Sequence, residues 1–423
     1  MGSCRHLQSV TVAAIAVGVL TPAFGARAED YPQWRGPQRT GISRETGLLK
    51  RWPKEGPKLL WQVNDVGYGF GSPSIARGRI YLVCSRGSEE YVQARDVKDG
   101  HRLWSTPLGK VGNPDLQPTP GARATPTVDG DRLYVLGSDG DLLCLEAPTG
   151  KVVWRKSLQR DFGGQPGGNA YVESPLIDGN LLICTPGGSQ ATLAALDKMT
   201  GDLVWKCVVP GANQAGYSSA IIATLGGVRQ YVQFVQRGVV GIDAKSGRFL
   251  WSYDGTSFQN NINTPVAQDG CVYTSTLTAG GLAAITAQGD AFEAREVYQS
   301  KRLTNNHNGV VLIGDYLYGT GGPCQQCVDL HTGEVKWRER SVGAGSSVFA
   351  DGRLYIYGEN GEMVLVEASP MEYRERGRFM PPGSPSSPGV MAWTYPVIAN
   401  GRLYVRHLGT LWCYDVRAAR GAR

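Results

Sequence analysis

Five stretches of this chain repeat one pattern: an acidic residue, a glycine four positions on, and a tryptophan four positions beyond that. They are Asp96, Gly100 and Trp104; Glu146, Gly150 and Trp154; Asp197, Gly201 and Trp205; Asp243, Gly247 and Trp251; and Asp329, Gly333 and Trp337. Repeats spaced by tens of residues restrict a chain to solenoids, propellers or arrays. Each copy reads as strand, tight turn, strand. Apolar residues lead in (Leu193 to Leu196) and out (Leu203 to Trp205), and the middle holds Asp, Thr and Gly. Glycine supplies the positive φ that closes such a hairpin. A tryptophan at the same place in every unit is expected to pack between neighbouring units rather than to stack on a substrate.

A second hairpin precedes each copy. Its turns are Asp129-Gly130, Asp178-Gly179, Asp269-Gly270, Asp351-Gly352 and Asn400-Gly401, followed by strands with a recurrent tyrosine (Tyr81, Tyr134, Tyr273, Tyr318, Tyr355, Tyr404). A short apolar strand opens the unit, often after Ser-Pro or Thr-Pro, where proline is tolerated at a strand's first residue. The unit is therefore four antiparallel strands, a propeller blade. Blades are expected over residues 72–108, 125–158, 174–209, 218–253, 264–298, 309–340, 346–367 and 395–415. The fifth keeps its glycine at Gly289 but has Tyr or Val for the tryptophan; the seventh shows neither. The last lacks an outer strand, while Leu59 to Val63 is an outer strand without a blade. Joining the two closes an all-β, eight-bladed ring and removes the exposed edges. Seven blades is the alternative if the fifth or seventh is not a full unit.

The expected organisation is a leader over 1–28, an irregular lead segment over 29–55 packed along the outside, the propeller over 56–416 and a tail over 417–423. Arg5, an apolar run from Val10 to Leu20 and Ala26-Arg27-Ala28 form the pattern of a cleaved secretory signal. The run is short for a membrane span. No cysteine follows it to carry a lipid, so the expectation is a periplasmic or secreted protein. Losing residues 1–28 removes two arginines and no acid, taking the net charge from +6 to +4. No basic run with interleaved aromatics supports nucleic-acid binding. A monomer acting on an envelope or extracellular protein partner is expected.

Nine cysteines raise the question of disulfides or zinc, and Cys324-Gln-Gln-Cys327 resembles half a metal site. The repeat gives another reading. Cys144, Cys327 and Cys413 each sit two residues before the acidic position, where other blades have Ala94, Ala195 and Gly241. Cysteine there replaces a small buried residue. A local Cys324–Cys327 bond stays open in an oxidising compartment.

The link from each outer strand to the next inner strand crosses one face and rims the central channel. Candidate site residues are thus those just before the inner strands: Tyr68 and Phe70; Arg123; Asn169, Tyr171 and Glu173; Gln214 and Tyr217; Asn261 and Asn263; Asn305, Asn306 and His307; and Trp393 and Tyr395. As a partner or ligand surface the expected set is Arg123, Tyr171, Glu173, Tyr217, Asn263, Asn306, His307 and Trp393. A long Pro/Ser-rich loop at 380–389 is expected at the surface. The chain has no Gly-x-Ser-x-Gly, His-Glu-x-x-His or phosphate-loop motif.

The tandem Ala-x-Asp-x-x-Thr-Gly-x-x-x-Trp motif, as in Ala195 to Trp205, resembles the pyrroloquinoline quinone (PQQ)-like β-propeller family. The resemblance covers nearly all of 56–416. It implies the propeller fold and either of two functions: a BamB-like binding or scaffold module of outer-membrane assembly, or a PQQ- and calcium-dependent alcohol dehydrogenase. On the second reading, Glu173 with Asn261 or Asn263 would meet the calcium ion, Arg123 a cofactor carboxylate, and Trp393 would stack. Against it, the rim shows no Asp for a base, and the chain has no adjacent cysteine pair and no Cys-x-x-Cys-His haem motif.

Overall fold

The computed structural model describes residues 28–115, 121–384 and 392–419. The leader expectation, up to residue 27, and the second half of the 380–389 loop fall outside them. Eight antiparallel sheets of four strands form eight blades in chain order, each running from an inner strand to an outer one. In the first blade Ser74–Ala76 is buried throughout, whereas Arg102–Lys110 faces solvent along most of its length. The last blade is completed by Lys58–Val63, which pairs antiparallel with Thr410–Asp415. Both blades left incomplete above are whole. Residues 291–300 give the fifth an outer strand, and Glu375–Phe379 gives one to the seventh. The single described helix is short, Leu158–Phe162.

The repeat motif is the joint between blades. The outer-strand aromatic lies opposite the small residue of the third strand: Trp104 against Ala94, Trp154 against Cys144, Trp205 against Ala195, Trp337 against Cys327 and Trp61 against Cys413. From there it packs on the glycine of the next blade's hairpin. Gly150 has φ +73°, and a Cβ on it would stand 2.5 Å from the Trp104 ring. The indole N–H then donates to the carbonyl just past the next blade's acid: Trp61 to Val97 (3.0 Å), Trp104 to Ala147 (3.2 Å) and Trp154 to Lys198 (3.0 Å). A buried indole thus gains both its apolar contact and its hydrogen bond from the neighbouring blade. The acid holds the hairpin itself. Asp197 Oδ1 accepts from the backbone of Met199 and Thr200, and Asp243 and Asp329 repeat this.

Three departures explain themselves. In the fifth blade Tyr298 takes the tryptophan's place, lying against Gly333 and donating to the Leu330 carbonyl at 2.7 Å. The fifth blade's own hairpin is a longer ladder turning at Gly289-Asp290, with Ile285 rather than an acid four residues before its glycine. Trp251, which faces it, turns back and donates to Gln230 in its own blade at 2.6 Å. In the seventh blade the tryptophan position is Gly377, opposite Leu365. Trp52 from the lead segment fills the space: a Cβ on Gly377 would stand 2.7 Å from the Trp52 Cβ. Trp52 is 4% exposed and packs on Tyr355 and Phe379.

Only the end of the lead segment runs along the outside, where Trp52 donates its backbone N–H to the Arg376 carbonyl of the seventh blade's outer strand; the earlier part takes another path. It crosses the central channel. Tyr31 exchanges backbone bonds with Ile75 of the first blade, and Pro32 accepts from Val128 of the second. Arg39 donates to Ser174 and Pro175 before the third inner strand. The Trp34 indole donates to Thr264 before the fifth, and Arg35 to Val310 of the sixth. Residues 41–43 pair with Phe349 of the seventh, and Glu45 accepts from Gly401 of the eighth. A segment that touches inner strands all round the ring must lie on its axis. The channel supplies its buried arginines with carbonyl acceptors at Ser174, Pro175 and Val310.

The cysteines follow the small-residue reading. Cys144, Cys327 and Cys413 are fully buried, and all described cysteines, Cys324 included, are free thiols.

Two expectations follow. Gly150→Ala should destabilise the ring by roughly 2 kcal/mol or more, combining left-handed strain with overpacking against Trp104; Gly130→Ala, where a Cβ meets nothing within 4 Å, should cost only the strain. Equilibrium urea unfolding of the pair checks this. Trp52→Ala should cost about 3–5 kcal/mol, as for a buried core tryptophan, and a melt unchanged from wild type would show that Trp52 is no blade component.

Candidate functional site: the channel funnel

The inner strands begin at one face of the ring, and the segments leading into them wall a funnel of about 280 Å³. Its lining is Trp34, Phe70, Arg123, Asn169, Val172, Tyr217, Asn260, Ile262, Asn306, His307, Trp393 and Tyr395. Trp34, brought up from the lead segment, forms part of this lining and meets Tyr395 edge-on at 4.7 Å. One wall is an aromatic stack: Phe70 and Trp393 rings lie 5.0 Å apart, and His307 lies 5.0 Å from Trp393. The Arg123 guanidinium rests over Phe70 at 5.1 Å. Burial pulls Arg123 below its ordinary pKa, while Tyr68, Glu90 and Tyr217 oppose that shift. The facing wall is amide: Asn169 donates to Asn260 at 3.4 Å, and the Tyr217 hydroxyl accepts from the Asn169 N–H at 3.2 Å.

Five of the eight residues expected as the surface meet in one cavity, Arg123, Tyr217, Asn306, His307 and Trp393, joined by Phe70, Asn169 and Tyr395 from the wider candidate set. Tyr171, Glu173 and Asn263 of the eight, and Asn261 of the calcium set, lie behind the wall. Tyr171 is 2% exposed and donates to the Pro186 carbonyl. Asn261 donates to Val235 and Gln236 carbonyls and accepts from Phe258. Asn263 donates to Ser275 and Asn305 carbonyls and accepts from Gly309 of the next blade. Glu173 is 4% exposed, accepts from the Thr185 N–H and from Gln233 at 3.0 Å, and is pushed up to about 7 by burial.

This bears on the calcium set. A hard cation needs several oxygens free to converge on it. The side-chain oxygens of Glu173, Asn261 and Asn263 are all engaged by protein donors, and none of the three residues lines the funnel. No carboxylate is among the lining residues. The residues present do not fit a calcium-held quinone. Arg123 and the aromatic wall fit a flat or anionic group held without a metal.

Glu359, not anticipated from sequence, stands 3.0 Å from His307 Nε2 behind the wall. Burial pushes its carboxyl up, but His307 and Asn308 outweigh this and hold it below its ordinary value. Trp34, Val172, Asn260 and Ile262 were also missed. Val172, Asn260 and Ile262 are immediate neighbours of expected residues. Ala170, at φ +66°, breaks the alternation of sides between Asn169 and Val172.

Comparison with known proteins supports this architecture. The quinohemoprotein alcohol dehydrogenase structure from Comamonas testosteroni superposes with a TM-score of 0.65 over 93% of this chain and 81% of its own, at 14% identity, a likeness of fold alone. The outer membrane protein assembly factor BamB of Burkholderia pseudomallei is 23% identical over 283 residues, 64% of this chain and 67% of that protein. The tetrathionate hydrolase of Acidithiobacillus ferrooxidans is 25% identical over 323 residues, 71% of this chain but 56% of its own length. A family model described as outer membrane protein assembly factor BamB matches residues 88–339, and the chain belongs to that PQQ-like propeller family.

Proposed function

We propose that the protein is an exported binding module that receives a protein partner of the cell envelope at its funnel face, in the manner of the BamB-named relatives. The observation that carries this reading is the lining itself. Rings, amides and one arginine are what recognition surfaces use, and aromatic and arginine side chains set in a pocket are the usual anchors of binding energy. The lining residues include no Ser, Thr, Cys or Lys and no carboxylate. The oxygens that a calcium-dependent quinone chemistry would need are engaged elsewhere. Among the described residues no helix is long and apolar enough to cross a membrane. The export signal over 1–28 and an envelope location belong to the same proposal.

The reading is tested by photo-crosslinking in a host that exports the chain. A crosslinker at Trp393 or Asn306 should trap a discrete partner. One at Met199, on a hairpin turn at the far face and 47% exposed, should not, and Tyr217→Ala should weaken the Trp393 product at least several-fold. Equal trapping from both faces contradicts the reading. So does tight, calcium-dependent binding of PQQ at one per chain in calorimetry, which would restore the dehydrogenase alternative.

A further inference from the structure

A second cavity of about 220 Å³ lies under the plug, on the side away from the funnel. The chain order along the inner strands fixes its place. In the fifth blade Asn260 and Ile262 line the funnel, Thr264 holds the Trp34 indole, and 265–268 line this second space. Its polar end is Arg35 and Arg39, with Gln38 and Thr40 exposed at its edge. Its other wall is apolar, including Ile222, Val266 and Leu312.

Both arginines are 3% exposed. Arg35 Nη2 donates to the Thr40 and Val310 carbonyls, while its Nε and Nη1 have no partner. Arg39 donates through Nη1 to Pro175 and Gln33 and through Nη2 to Ser174, and its Nε has no partner. Among the described residues neither makes an ion pair with a carboxylate. Arg35 sits 5.8 Å from the Tyr395 ring, which is attraction without a counter-charge. The carboxyl that acts on Arg39 is Glu173, and burial favours its neutral form. A buried cation without a counter-ion is costly, and buried N–H groups without acceptors call for an ion or water. The planar guanidinium fork is matched to carboxylates and other oxyanions.

We propose that this cavity binds a small oxyanion with a short apolar body, a short-chain carboxylate in the simplest case, with its charge on Arg35 and Arg39 and its tail on the apolar wall. The site is independent of the funnel and of the partner reading above. It gives the lead segment a second role: the residues that plug the ring also carry the charges that a ligand would neutralise. Bound ligand should therefore tighten the plug, because whatever binds only the folded state stabilises it.

The test uses the full chain with butyrate, phosphate and sulfate as separate probes, against chloride at matched ionic strength. Calorimetry should show saturable butyrate binding at one per chain, with the melting temperature raised by a few degrees at saturation. Arg35→Met should abolish binding. Because Arg35 also ties two carbonyls, that variant can fail to fold, so Ala267→Phe, which fills the cavity from its apolar wall, is the second arm. It should weaken butyrate at least tenfold while near-UV circular dichroism stays native. No saturable binding beyond chloride overturns the proposal. Undiminished binding in a folded Ala267→Phe overturns it too. Phosphate or sulfate binding with butyrate excluded would overturn the apolar half of the assignment.

Discussion

The ring depends on one contact repeated around it: an aromatic side chain of one blade lying on the glycine turn of the next. Each half of the contact needs the other. The glycine is there because any Cβ would collide with the ring, and the tryptophan can approach because its own third strand offers Ala or Cys behind it. At Trp61, Trp104, Trp154 and Tyr298 a hydrogen bond to the neighbouring turn adds to this contact, whereas Trp205 rests on Gly247 by apolar contact alone. Where the pattern fails the chain compensates. Tyr298 stands in for tryptophan, Trp251 turns to Gln230, and Trp52 arrives from outside the repeat to complete the seventh blade.

The lead segment turns an open channel into two separate cavities. Its Trp34 helps to line the funnel on one side, and its Arg35 and Arg39 line a charged recess on the other. On the function proposed above, this arrangement serves recognition. The funnel offers flat apolar area at low entropic cost, a property of rings with few rotatable bonds, and the Asn169 amide donates to that of Asn260 in its wall. Glu173 and Glu359 serve the wall: one is held between Thr185 and Gln233, the other against His307.

The fold was legible because its determinants are local. Asp, Thr and Gly in a hairpin, with tryptophan at a fixed offset, declare themselves within a dozen residues, and the orphan strand at Leu59 to Val63 completed the count. The site was half legible. The linkers that rim the channel could be placed, and Arg123, Tyr217, Asn306, His307 and Trp393 meet there. Which neighbour faces inward could not be read, because Ala170 at positive φ breaks the alternation and because Asn261 and Asn263 look like ligands until their carbonyl partners are known. The path of residues 31–52 was not legible at all. Trp34 meets Thr264 and Trp52 meets Gly377 across more than two hundred residues, and no periodicity in a non-repeating segment announces such contacts.

The plug is the claim on which both cavities rest, and backbone hydrogen exchange measures it most directly. Tyr31, Gly41 and Ser43 donate to Ile75, Arg35 and Phe349 carbonyls inside the channel. Their amides should exchange as slowly as those of the inner strands, since exchange there requires opening of the ring. Exchange of residues 31–43 at the rate of an unstructured tail, with the blades still protected, would contradict the plug and leave the propeller with an open axis.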